Sequence, residues 1–165
     1  MKRAERAVLV IESTGADSWS SMKSAVEQLS IAHRIIQASS TYELDREVVK
    51  GGASLAGGRS LVGAILCDTH LGPREFCEDI DFRTKAFSGV KVSLLGYGDV
   101  FKMTPQVTIP HPELHEKAHW LHVAAELWPD YQHPVFNENL GELARRFPSK
   151  EWGHFHAQGK ALIDF

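Results

Sequence analysis

Residues 97–134 read YGDVFKMTPQVTIPHPELHEKAHWLHVAAELWPDYQHP. Tyr97-Gly98-Asp99 is a turn that ends the run Val90–Leu95, whose alternation at its start suits a strand with one exposed face. Behind the turn, Leu114, Ala118, Leu121, Ala125 and Leu127 recur at helical spacing, and Pro129, which has no N–H to donate, stops the pattern. The spacing predicts a helix over Pro112–Trp128, packed through Trp120 and Trp128.

Working outward, Ala7–Ile11 is a short apolar run rich in β-branched residues that ends at a Ser-Thr-Gly turn, and it reads as a buried strand. Met22, Val26, Leu29 and Ile31 predict a helix over 19–31, capped by Ser18, Ser20 or Ser21. His33–Leu44 suits a longer strand. Residues 50–59 hold four glycines, whose backbone is hard to fix without a ligand or a neighbour, so a mobile loop is expected there. Ser60–Cys67 is again strand-like, and Pro73 opens a helix that runs to about Phe82. A last helix is expected over Asn139–Phe147. The order β-α-β-β-α-β followed by two helices is an α+β, ferredoxin-like plan. It forms one domain over 1–165, with a core at about 7–147 and a C-terminal extension at 148–165, where Trp152 is expected to pin a partly ordered tail carrying His154, Phe155 and His156.

Composition narrows the function classes. Apolar residues make up 43% and charged residues 24%, as in an ordinary globular protein. A formal charge of −3 gives no general attraction to nucleic acid or to an anionic membrane, and neither is expected as a partner. The two cysteines, Cys67 and Cys77, make neither a disulfide framework nor a C-x-x-C metal pair. No apolar run suits a signal peptide or a membrane span, so a cytoplasmic location is expected.

The quoted stretch resembles, without a gap, the C-terminal signature of the hydroxymethyldihydropterin pyrophosphokinase (HPPK) family. That signature has Y-G-D, a threonine-proline turn, T-I-P-H-P-x-L-H-E-R-A-F-x-L, L-A-E-I-A-P-D and a histidine-proline pair. Fainter similarity covers Ala7–Asp17, the segment Ser39-Ser40-Thr41-Tyr42-Glu43, and Leu61–Glu75, so the resemblance extends over about 7–146. It implies an enzyme of folate biosynthesis that moves pyrophosphate from ATP to 6-hydroxymethyl-7,8-dihydropterin with Mg²⁺, releasing AMP. It further implies that Thr108, His111 and Lys117 hold ATP. A hydroxyl, an imidazole and a cation are fit for a polyphosphate, although lysine lacks the bidentate fork of the arginine usual at 117.

The chain departs from that family at the chemistry itself. The two aspartates that bind magnesium in the family correspond to Lys91 and Ser93, and an ammonium repels the cation that carboxylates would hold. The arginine-rich loop before them is shortened to Arg83–Gly89. The pterin-contacting tyrosine and asparagine correspond to Ser60 and Val62, and the stacking phenylalanine to His119. Asp79 and Asp81 form another D-x-D, read as a solvated helix end because residues two apart on a helix face different sides. The expected activity is altered or absent, and the alternative is a non-catalytic ligand-binding or regulatory paralogue that takes a small nucleotide or pterin-like molecule. One competing motif remains. His115-Glu116-Lys117-Ala118-His119 fits H-E-x-x-H, which on a helix would set two imidazoles one turn apart for zinc, with His122 or Glu126 as a third ligand of a metallohydrolase.

Overall fold

The computed structural model describes residues 3–44, 59–146 and 152–165. Its central element is β1 (Glu5–Gly15), longer than the expected strand and paired antiparallel with β4 (Arg59–Thr69) on one side and β5 (Val90–Tyr97) on the other. Ala7 to Ile11 are each 0% exposed, because both faces of the sheet are covered. Odd positions Ala7, Leu9 and Ile11 pack with Met22, Val26 and Leu29 of α1 (Ser18–Ala32) and with Phe76 and Ile80 of α2 (Pro73–Thr84). Even positions Val8 and Val10 pack with Val62, Ala64 and Leu66 of β4 and with Trp120, Leu121 and Ala124 of α3 (Ala118–Leu127). The period of two along the strand thus sorts one apolar run into two cores.

The expected strand over 33–44 is divided. β2 (Arg34–Ala38) pairs with the far end of β4 and β3 (Thr41–Leu44) with its near end. Ser39 and Ser40 make the break: the Ser39 hydroxyl accepts from Ala64 N–H at 2.8 Å, and Ser40 N–H and Oγ–H both donate to Glu126 of α3. Side-chain oxygens thereby replace ladder partners where the register shifts. His33 belongs instead to the end of α1, where its N–H donates to Leu29 O. No serine side chain caps α1; Ser18 is its first residue, and its carbonyl accepts from Ser13 Oγ–H.

The helix expected over Pro112–Trp128 begins only at Ala118. His111 Nδ1 takes the Glu113 N–H, three-residue turns follow, and Lys117 is extended at φ −104°, ψ 104°. The chain therefore crosses 112–117 as turns before it enters the helix. Past α3 it forms α4 (Leu140–Arg145), held by an Asn139–Glu142 capping box, so the helix expected over 139–147 starts one residue later and ends at Arg145, with Arg146 as its C-cap. Two small hairpins went unforeseen: β6 (Lys102–Met103) with β7 (Thr108–Ile109), and β8 (Gln132–His133) with β9 (Glu138–Asn139).

The C-terminal extension is ordered to a degree the sequence did not suggest. β10 (Gly153–Ala157) adds to the sheet beside β3, and α5 (Gly159–Ile163) sinks Leu162 into the first core. Three helices therefore follow β5 where two were expected. The anchor is Trp152, 5% exposed, with its ring 5.1 Å from that of Tyr42. The sheet order is β10-β3-β4-β1-β5, with β2 also on β4 and every pairing antiparallel. The molecule is α+β, with five helices among the described residues. None of these helices is long and apolar enough to cross a membrane. The glycine-rich stretch 50–58 lies outside the described residues, as does Phe147.

If the tail is part of the core, Trp152→Ala should lower the unfolding free energy by about 3 kcal/mol, as loss of a buried tryptophan does. Chemical denaturation checks this; a loosely attached tail would show a change within about 0.5 kcal/mol.

Candidate functional site

The register of the central strands assembles the site. Glu12 on β1 lies opposite Val62 on one side and Lys91 on the other, and Val10 lies opposite Ser93. Glu12, Val62, Lys91 and Ser93 thus share the sheet face that α3 covers. β5 ends the sheet, and the loop before α3 closes against it through a His111 N–H bond to Leu95 O at 2.9 Å. Between that loop, β5 and α2 is a cavity of about 310 Å³, lined by Ser93, Thr108, His111, Cys77 and Asp81 among others. Two of the three ATP candidates therefore meet at one cavity.

Lys117, the third, is not among the residues lining that cavity and is joined to His111 through Trp120. This indole is fully buried, with the His111 ring edge-on at 4.8 Å and Lys117 Nζ 4.1 Å from its ring centre, a cation–π contact that holds the ammonium against the indole. Lys117 also lies 3.7 Å from Glu113. Because His111 Nδ1 accepts the Glu113 N–H, a neutral ring carries its proton on Nε2. Burial pushes His111 below the ordinary imidazole value; Lys117 and Lys91 push the same way, and Glu113 and Glu12 oppose them. His111 is therefore a neutral hydrogen-bond donor near pH 7.

Glu12 is the residue that sequence reasoning missed. It stands 3.8 Å from His119 Nε2. Burial opposes its ionisation, but His119 first, and then Lys117 and Lys91, outweigh that and hold its carboxyl below the usual value. The available signal was one charged residue continuing the apolar run of β1 onto the face shared with Val8 and Val10, in place of an early end at Ile11.

The positions that resemble pterin contacts are occupied differently. Ser60 and Val62 are buried. His119 is 8% exposed, with the rings of Trp152 and Trp120 at 6.0 and 6.5 Å. His122 stacks in the same group, 5.4 Å from Trp152 and 5.5 Å from Tyr42. The C-terminal extension thus places an indole beside the ring at 119. Among the described residues, neither Trp120 nor Trp152 finds a hydrogen-bond partner for its buried indole N–H.

A magnesium ion of the kind the sequence resemblance implies does not fit these side chains. Asp79 turns away from the cavity: its Oδ2 lies 2.6 Å from His33 Nε2 and accepts from Arg83 Nε at 2.8 Å. Asp81, two residues on, faces the cavity alone, and Glu12 is held by His119 with Lys91 opposite. Among the described residues no three His, Cys, Asp or Glu side chains converge as a metal-ligand set. The zinc reading of His115 and His119 required both on one helix; His115 instead precedes α3, with its ring 4.9 Å from Phe136. The shortened link Arg83–Gly89 is also tied down. Gly89 O accepts from Thr14 N–H at 3.0 Å, and Gly89 sits at φ +83°, where an added Cβ would lie 2.4 Å from Thr14 O.

The fold has solved counterparts. The HPPK-DHPS of Plasmodium falciparum superposes with a TM-score of 0.73 at 12% identity in the wild type with pteroate, over 88% of this chain and 43% of that one. A single-substitution variant of it with SDX-DHP gives 0.74 at 12%, over 93% and 49%. An HPPK-DHPS in complex with substrates gives 0.71 at 10%, over 87% and 43%. The chain spans less than half of each of these proteins, and such identities establish likeness of fold alone. No protein-family model and no curated protein sequence matches the chain.

The Asp79 cluster gives a pH signature. Burial opposes ionisation of Asp79, but Arg83 and then His33 hold its pKa below the ordinary value. A depressed carboxylate contributes stability above its unfolded pKa of about 3.9 and loses it as pH falls through the folded value. Asp79→Asn should therefore cost about 2 kcal/mol at pH 7 and progressively less below about pH 4. Urea titrations of both proteins from pH 7 to pH 3 read the difference; a gap that does not narrow would contradict the assignment.

Proposed function

We propose that this chain binds a nucleotide on a pterin pyrophosphokinase-like, ferredoxin-like scaffold, and that it transfers pyrophosphate slowly or not at all. The observation that carries the reading is the meeting of Thr108, His111 and Ser93 at one cavity, with Lys117 fixed beside it across Trp120. A hydroxyl, a neutral imidazole N–H and an ammonium are suited to phosphate oxygens and to the polar edge of a base. The antiparallel order β3-β4-β1-β5 with α1 and α2 on one face supports the finer fold assignment.

The same site argues against full catalysis. Phosphoryl transfer draws its acceleration from cations placed on the transferring phosphates and from positioning of the acceptor. At the acidic positions of the family this chain has Lys91 and Ser93, and where the family contacts pterin it has Ser60, Val62 and His119, packed beside Trp152. A binding or regulatory role follows, in the cytoplasm and as one domain.

With Mg²⁺, ATP and 6-hydroxymethyl-7,8-dihydropterin, a coupled assay should detect no AMP above the enzyme-free background. Turnover of about 1 per second or faster, within the ordinary range of enzymes, would overturn the catalytic half of the proposal. Titration calorimetry should show ATP binding that weakens about tenfold in Lys117→Ala, the scale of one charge-assisted contact.

A further inference from the structure

We infer that phosphate groups bound in this cleft are met directly by the ammonium groups of Lys91 and Lys117, and that no divalent cation takes part in the binding; this rests on the nucleotide-binding reading above. The charged groups facing the cleft come from four elements. β5 contributes Lys91, the segment before α3 contributes His111, Glu113 and Lys117, α3 contributes His119, and β1 contributes Glu12. Asp81 of α2 is a further charged group, lining the same cavity as Ser93, Thr108 and His111. The carboxylates are not paired: Glu113 lies beside Lys117, Glu12 beside His119, and Asp81 stands apart. Magnesium needs several oxygens in near-octahedral array, and this set cannot present them together.

Lys91 is the group that decides the matter. It is exposed, it lies directly across from Glu12 in the β1–β5 register, and among the described residues it forms no ion pair within 4 Å. That register puts it on the sheet face of Glu12 and Ser93, and its charge acts on both Glu12 and His111. An available ammonium there repels a divalent cation and attracts a phosphate oxygen. Glu12 then acts as the resident counter-charge of the unliganded cleft, shared among His119, Lys117 and Lys91.

The consequence is an inverted metal dependence. Magnesium bound to a triphosphate withdraws oxygens and negative charge that a site built from ammonium groups requires, so Mg²⁺ should weaken binding. The test is titration calorimetry of the full chain with ATP and, separately, with inorganic tripolyphosphate, each in EDTA and in excess Mg²⁺. ATP should bind in EDTA and bind at least about threefold more weakly with Mg²⁺. Lys91→Ala should lose about tenfold in EDTA, the scale of one charge-assisted contact, whereas Glu12→Gln should tighten binding. Thermal melts of both variants confirm that they remain folded, and Glu12→Gln reports by gain, which damage to the fold would not mimic. Binding of ATP only in the presence of Mg²⁺, or an unchanged Lys91→Ala, overturns the inference while leaving nucleotide binding intact. Metal-free binding of tripolyphosphate with none of ATP supports it and overturns the nucleotide reading. No binding of either probe in any condition overturns both.

Discussion

The burial of β1 on both faces is the constraint on which the rest of the molecule depends. Five consecutive residues, Ala7 to Ile11, have no exposed surface, and a strand so enclosed must send alternate side chains into separate cores. A slip of one residue would exchange the α1–α2 core for the α3 core and would move Glu12 off the face it shares with Lys91. The placing of Glu12 against Lys91 therefore follows from the register of a strand whose run from Ala7 to Ile11 is wholly apolar.

That constraint explains which parts of the fold were legible in the sequence. The runs at 7–11 and 60–67 announced strands by their continuous burial and 90–95 by its alternation, and Pro73 and Pro129 marked helix ends by their missing donors. What escaped depended on side chains bonding to backbone. The Ser39 and Ser40 hydroxyls divided a strand that composition made continuous, and the His111 ring delayed a helix whose apolar spacing begins at Leu114. The ordered tail was missed for a related reason. Its stability comes from Trp152 and Leu162 meeting partners distant in sequence, which no local pattern reveals.

The candidate site was half legible. Of Thr108, His111 and Lys117, the first two line one cavity, and the physical link from His111 to Lys117, Trp120, was read only as core packing. Glu12 was invisible as a site residue because its role is set by cross-strand neighbours about 50 and 80 positions away in the chain. Asp79 and Asp81 illustrate the reverse. Their spacing was a motif on paper, and helical geometry sends one to His33 and Arg83 and the other to the cavity.

A single physical account joins these observations. In the proposed reading, the scaffold keeps a place for phosphate-bearing molecules, and the cation offered to them is Lys91 of the sheet in place of a metal held by carboxylates. The most direct measurement is a crystal structure of the full chain with a non-hydrolysable ATP analogue, grown in the presence of Mg²⁺. The account expects phosphate oxygens within about 3 Å of Lys91 Nζ and Lys117 Nζ, with no ion between them and the protein. Phosphates bridged to Asp81 or Glu12 by a metal ion, or a nucleotide seated away from Thr108 and His111, would contradict it.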